Sequence, residues 1–276
     1  MIVDGKAIAR ELHQSLSREA SLMKPQPSLA VFISQSTFEV KKFVDIKIRA
    51  AEEVGITVDV IQSPYRQKTE AFVHALLEAA RTHDGLLVQL PLAPSLDANT
   101  IRQVMPITHD VDVYGLTAFQ QFKEKRLPIF PPVVAAISEI LYRQHSAPAG
   151  KKVVIVGDGQ LVGTPSAIWA THMGAEVTTV TRDTPDIAVA TREADMIILG
   201  AGSPGLLTPD MIKEGAIVMD AGTSESEGKL AGDADPACAE KASLFTPVPG
   251  GIGPIAVAKV LENLLTLRRI RAGEHV

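Results

Sequence analysis

The sequence predicts an α/β fold in two domains, and three observations carry that expectation. Short β-branched or apolar runs alternate with longer amphipathic segments, the pattern of βαβ units on parallel sheets. The alternation breaks once, over residues 91–132, where PLAP, MPITHDVD and LPIFPP read as loops and turns. It restarts at KVVIVG (152–157), and a chain of 276 residues is long enough for two ordinary domains. The first domain is placed at 1–135 and the second at 136–253, with a last helix over 254–272 packing back on the first.

The elements follow in order. A helical segment (about 4–23) precedes the apolar run LAVFIS (29–34). The stretch FEVKKFVDIKIRAAEEVGI (38–56) is an amphipathic helix stopped at Gly55. Val40, Phe43, Val44, Ala51 and Val54 share its apolar side, with Lys41, Lys42, Asp45, Arg49, Glu52 and Glu53 opposite. TVDVIQ (57–62) is a strand by β-branched alternation, 69–82 a helix, and GLLVQL (85–90) a buried strand ended by Pro91. A helix at 133–146 leads to Pro148-Ala149-Gly150. Past KVVIVG come a helix (161–174), strand EVTTVT (176–181), a helix near 186–193 and strand MIILGA (196–201). A short helix near 209–213, strand AIVMDAG (216–222) and the last helix complete the pattern.

Bulk composition narrows the function. A formal net charge of -5 and a pI of about 5.8 argue against a general nucleic-acid binder. Aromatic content of 4% offers no base-stacking platform. Cys238 is the single cysteine, so no internal disulfide forms, and with no signal-peptide pattern a reducing cytoplasm is the simplest expectation. No apolar run approaches the roughly 18 residues of a membrane span.

The strand KVVIVG runs into GDGQLVGTP (157–165) and then a helix. Glycines there allow a tight turn and close approach of a phosphate to N–H groups at a helix N-terminus. Pro165 suits the first helical turn. The spacing Gly157-x-Gly159-x-x-x-Gly163 is one residue longer than the usual dinucleotide fingerprint, so an ordinary βα turn stays open beside a Rossmann-like nucleotide site. The next strand ends Thr181-Arg182-Asp183-Thr184. Arg182 suits a 2′-phosphate and Asp183 a free ribose diol. Asp158, inside the turn, would repel a 2′-phosphate, which tilts the cofactor modestly to NAD over NADP.

Three residues of the first half attract a catalytic role. Lys47 projects into the middle of an apolar arc, where desolvation lowers an amine's pKa toward neutrality and makes a usable proton donor and acceptor. A lysine snorkelling past the helix edge is the plain alternative. Gln89 stands at the C-terminal end of a strand, where ligands of open α/β sheets collect, or it caps the following loop. Asp112 in HDVDVYG suits a cationic or N–H-bearing ring, or simply forms a turn. His109, Asp110 and Asp112 lack further ligands, and no metal is expected. FTPVPGGIGPIAVAK (245–259) sets two glycines between prolines, a loop that lets backbone approach a ligand or a plain lead into the last helix.

Together these pieces resemble the bifunctional methylenetetrahydrofolate dehydrogenase/cyclohydrolase family, over almost the whole chain and in motif order. The blocks are AAEEVGI (50–56), GLLVQLPL (85–92), DVD (110–112), VGDGQLVGTP (156–165), ADMIILGAGSP (194–204), GAIVMDAG (215–222), GKLAGDAD (228–235) and TPVPGGIGP (246–254). The resemblance implies an N-terminal folate-binding catalytic domain, a Rossmann-like NAD(P)-binding domain, folate in the cleft between them, and a homodimer through the cofactor domain. It makes Lys47 the proton-transfer residue, Gln89 the glutamine that tunes it, and Asp112 the aspartate that holds the pterin. It places Phe43, Leu90, Pro91, Pro249, Gly250 and Gly251 against substrate. It assigns Gly157, Asp158, Gly159, Val162, Gly163, Pro165, Thr181, Arg182, Gly202 and Ile252 to the dinucleotide. The implied chemistry is hydride transfer from the methylene carbon of 5,10-methylenetetrahydrofolate to the nicotinamide, then water attack on the methenyl carbon and ring opening to 10-formyltetrahydrofolate.

The sequence departs from the family pattern at several points. Phe43 replaces a tyrosine, so a hydroxyl is lost beside Lys47. Val113-Tyr114 either replace Gly-Phe or form an insertion before Gly115-Leu116. Pro131-Pro132-Val133-Val134 replaces Pro-Cys-Thr-Pro, Asp158-Gly159 replaces Arg-Ser, and Ala256 replaces a threonine. The missing arginine supports the NAD tilt. Two alternatives to a bifunctional enzyme therefore stand: retention of one activity, with the cyclohydrolase step the more endangered, and a non-catalytic folate or nucleotide binder.

Overall fold

The computed structural model describes residues 1–35, 37–64, 66–226 and 229–274. It divides into two compact units, Arg10–Pro132 with Val257–Val276, and Met1–Ala9 with Val133–Ala256. Each is built on a parallel sheet.

Helix α1 (Gly5–Leu22) leads into β1 (Ser28–Ile33), α2 (Phe38–Val54), β2 (Thr57–Gln62), α3 (Thr69–Ala79) and β3 (Gly85–Gln89). The strands pair in the order β2-β1-β3. Their apolar runs bury Ala30, Phe32, Leu86 and Val88 against Phe72 and Leu76 of α3, and the Phe32 and Phe72 rings lie 5.4 Å apart. In α2 the Thr37 hydroxyl accepts the Val40 N–H, and Gly55, at φ 87°, closes the C-terminus onto the Ala51 and Glu52 carbonyls. Val40, Val44, Ala51 and Val54 are buried and the opposite charged face is exposed, so the helical period sets the burial.

Residues 91–132 are not all loop. They contain α4 (Ala98–Val104) and α5 (Leu116–Lys123). Both are short, and α4 is set by its cap, the Asp97 carboxylate accepting from the Asn99 and Thr100 N–H groups. Helix α6 (Pro132–Arg143) then opens the second unit.

That unit continues through β4 (Lys152–Val156), α7 (Gly163–His172), β5 (Glu176–Val180), α8 (Ala188–Thr191), β6 (Met196–Leu199) and β7 (Ile217–Asp220). A small antiparallel pair, β8 (Ser224–Ser226) with β9 (Lys229–Ala231), and the short β10 (Leu244–Phe245) follow. The sheet order is β10-β7-β6-β4-β5. Val154, Val156, Ile197, Leu199, Val218 and Phe245 fill its core. The 209–213 segment is a single 3-10 turn, Pro209–Met211.

Two departures from the expected domain division have clear causes. The first junction falls at 132/133, where Pro132 starts α6. Residues 1–9 belong to the second unit, because Val3 donates to Phe245 O and Phe245 to Met1 O, both at 2.9 Å, extending the β10 edge. Helix α9 (Ile252–Arg271) ends within the first unit. There Asn263 donates to the Val111 and Phe130 carbonyls, each at 2.9 Å, and Arg268 and Arg271 pair with Asp84. Among the described residues no helix is long and apolar enough to cross a membrane.

Candidate active site

In the first unit, Lys47 on α2, Gln89 at the end of β3 and Asp112 converge. Lys47 Nζ donates to Gln89 Oε1 at 2.8 Å. The Gln89 amide is held by its own Nε2–H, which donates to Leu90 O at 2.8 Å, so Oε1 is left facing the amine. Burial lowers the Lys47 amine from its ordinary value, and the Asp112 charge opposes that lowering. Burial raises Asp112, opposed in turn by Lys47. Each charge sits in a place that disfavours it, and each partly stabilises the other.

The neighbouring carboxylate has a different task. Asp110 is fully buried and accepts the Tyr114 N–H at 3.0 Å and the Gly115 N–H at 2.7 Å. Burial pushes it up to about 6. It closes the turn that carries Asp112. Val113 within that turn has φ 55°, an unusual conformation for a β-branched side chain. Tyr114 is buried beneath the Arg102 guanidinium, 5.7 Å from ring centroid to Cζ, and its carbonyl accepts from Arg102 Nε. Phe43 lies one helical turn before Lys47, half-buried. Leu90 is half-buried and Pro91 exposed, joined by a cis peptide bond. Burial and Arg271 hold His109 down to about 4. Among the described residues no three His, Cys, Asp or Glu side chains are grouped to hold a metal.

In the second unit, the glycine turn forms one wall of a cavity of about 670 Å³. Gly157 has φ 99°, and a Cβ there would lie 2.7 Å from Gly200 O. A Cβ at Gly163 would lie 2.0 Å from Gly157 O, so α7 packs directly on the turn. At Gly159 the nearest such atom is 3.8 Å away, leaving open room. The longer spacing thus keeps two glycines that sterics demand and one that faces space. Thr164 ties the turn, its N–H to Gly159 O and its hydroxyl to Asp158 O. Gly157, Asp158, Gly159, Thr181 and Arg182 line the cavity, as does Asp186. Val162, Gly163, Pro165, Gly202 and Ile252 stand off its wall. Val162 fills the space beside Gly200, Pro165 is buried in α7, and Ile252 is buried at the start of α9.

The loop bearing Pro249, Gly250 and Gly251 is shaped by backbone. Val248–Pro249 is cis, Gly250 has φ 109°, and Gly251 donates to Pro247 O at 2.7 Å. Gly5, the first residue of α1, meets it so closely that a Cβ would lie 1.8 Å from Gly251 O. Sequence reasoning missed Gly5, and also Asp220 and Asp233, two buried carboxylates at the strand-end side of the same unit. The GAIVMDAG and GKLAGDAD blocks hold both aspartates but assign neither a task.

Comparison with known proteins agrees in both halves. Residues 3–112 match the tetrahydrofolate dehydrogenase/cyclohydrolase catalytic domain, and residues 131–272 match the NAD(P)-binding domain of that family. The chain is 32% identical over 271 residues to the bifunctional protein FolD of Exiguobacterium sibiricum, covering 96% of this chain and 98% of that one. The bifunctional FolD enzyme of Campylobacter jejuni superposes with a TM-score of 0.92 at 31% identity, covering 98% of this chain and 99% of the other. The Trypanosoma brucei enzyme, solved with NADP and an inhibitor, gives 0.93 at 30% identity, with coverage of 99% and 98%. Matched domain by domain and along its whole length, the chain belongs to the tetrahydrofolate dehydrogenase/cyclohydrolase family.

Proposed function

We propose that Lys47 is the proton-transfer residue of this enzyme, which oxidises 5,10-methylenetetrahydrofolate with NAD(P)+ and hydrolyses the methenyl product to 10-formyltetrahydrofolate. The observation that carries this assignment is the 2.8 Å Lys47–Gln89 hydrogen bond on a desolvated amine. Burial favours the neutral form of this amine, which takes a proton from the attacking water and returns it to the departing ring nitrogen. Gln89 aims the amine without adding a charge that would raise its pKa. Asp112 serves the N–H-bearing edge of the pterin, and the Phe43 ring packs on its face. Two activities fit this arrangement better than a non-catalytic binder, for which a desolvated amine aimed by Gln89 beside a buried Asp112 has no use. Absorbance of reduced nicotinamide and decay of the methenyl chromophore, followed on the purified protein, test both steps; absence of both would leave the binder.

The dinucleotide fits the glycine-walled cavity, and when bound it supplies the hydride acceptor. Asp158 and Asp186 line that cavity against the single guanidinium of Arg182, and we infer a preference for NAD over NADP. A higher kcat/KM with NADP+ would overturn that preference. A homodimer through the cofactor domain fits the open edge of its sheet. The β10 edge is covered by Ile2, whereas β5 at the other end exposes Glu176, Thr178 and Thr179. Light scattering that finds a monomer would refute it.

A further inference from the structure

We propose that Asp233 is a positioning residue for the dinucleotide, holding one wall of the cavity by binding three successive backbone N–H groups. The inference rests on assignment of the dinucleotide to that cavity. Asp233 is fully buried. Its Oδ2 accepts from the Ala201 and Gly202 N–H groups at 2.7 and 3.0 Å, and its Oδ1 from Ser203 N–H at 2.7 Å. Successive N–H groups turned onto one anion form a nest. Here the anion is part of the protein, so these donors are committed inward, and Ala201 and Ser203 are left as cavity wall. Gly202 at the centre has φ 68°, the conformation that lets three neighbouring N–H groups share one carboxylate.

Asp233 is itself held. Asp220, at the C-terminal end of β7, accepts from the Gly222, Asp233 and Ala234 N–H groups at 2.8, 3.2 and 2.8 Å. Asp220 N–H donates to the Thr246 hydroxyl at 2.6 Å, which stands just before the Pro249-Gly250-Gly251 loop. Space around the pair is closed. A Cβ at Gly222 would lie 2.4 Å from the Asp233 carboxyl carbon, and one at Gly232 would lie 2.2 Å from Asp220 Oδ2. Two buried carboxylates satisfied wholly by backbone form a rigid link from strand ends β7 and β10 to the cavity wall. Such buried charges are costly unless fully hydrogen-bonded, and no catalytic step uses either one.

Asp233→Asn tests the link, because an amide cannot accept with its nitrogen and must turn N–H against N–H. KM for the dinucleotide is expected to rise about tenfold or more, the effect of leaving a buried donor unpaired. KM for methylenetetrahydrofolate, and methenyl hydrolysis assayed without dinucleotide, are expected to stay within about twofold. An unchanged dinucleotide KM, or a parallel fall in hydrolysis that marks general unfolding, would overturn the proposal. Hydrogen exchange on the unaltered enzyme supplies a second arm that needs no variant. The 201–203 amides are expected to be protected before any dinucleotide is added, and free exchange there would overturn the link. Calorimetry of the unaltered enzyme with NAD+ and NADP+ separates the two levels. Failure to bind either removes the dinucleotide from the cavity, and binding that Asp233→Asn leaves unchanged removes only the positioning role.

Discussion

The two units use one architecture in opposite ways. In the first, the side chains proposed for proton transfer are placed where they are poorly solvated. Lys47, Asp112 and Asp110 all depart from their ordinary pKa, and each departure is caused first by burial. In the second, the cavity is shaped by absent side chains and by backbone. Gly157, Gly163 and Gly200 stand where any Cβ would strike a neighbour, and the buried carboxylates there bind only N–H groups. A proton shuttle needs an ionisable group held out of water, whereas a large cofactor needs room and firm walls. The same βαβ scaffold suits either need, depending on what sits at its strand ends.

This contrast breaks most decisively at Lys47. Lys47→Met should lower methenyl hydrolysis by about a hundredfold or more, the range for loss of a general acid–base group, while calorimetry shows dinucleotide affinity unchanged. Hydrolysis at the rate of the unaltered enzyme would remove the lysine from the chemistry. In the other unit, Gly163→Ala should cost on the order of 1–3 kcal/mol in denaturant unfolding and weaken dinucleotide binding, since the new methyl meets backbone rather than a yielding side chain. Gly159→Ala is its stability control and should leave the unfolding free energy nearly unchanged, because its Cβ meets open space; equal losses of stability at 159 and 163 would contradict the steric account.

A third comparison uses pH. Asp110 in one unit and Asp220 in the other are each raised to about 6 from the usual 3.8, chiefly by burial. A carboxyl with a raised folded pKa contributes stability at low pH, and that contribution is lost as pH rises through about 6. Unfolding free energy should therefore fall between about pH 4 and 7, by roughly 1–3 kcal/mol for each group. Asp110→Asn and Asp220→Asn should each flatten that fall, and a slope identical to the parent's would count against buried, raised carboxyls. The smallest expected effect is at Phe43. Phe43→Tyr should raise hydrolysis a few-fold by restoring a hydroxyl beside the amine, and no change or a decrease would mean that the pocket has settled around the phenyl ring.

The regular elements were legible because their patterns are local. TVDVIQ is a strand over the residues its β-branched alternation marks, and α2 ends at the glycine that marks its stop. Helices α4 and α5 were not read, because seven- and eight-residue helices show too few turns for a period to emerge. Lys47 stood out from the helical projection alone, and its hydrogen bond to Gln89 needed the fold to bring together residues 42 apart. Asp233 and Gly5 were illegible for the same reason in stronger form. An aspartate in a loop looks like turn chemistry until its three donors, some thirty residues earlier, are seen. The assignment of residues 1–9 to the other unit rests on pairing between Val3 and Phe245, which no local signal announces.

That same pairing has a consequence for synthesis on the ribosome. The backbone pairing at Val3 and the Gly5 contact wait for partners at Phe245 and Gly251, which are made only after β7 and β9. The first unit waits as well, since Asp84 and the Val111 carbonyl find Arg268 and Asn263 on α9. Neither unit can finish until α9 and the segment before it have been made. A pause or truncation before α9 would leave two unfinished domains rather than one finished and one missing.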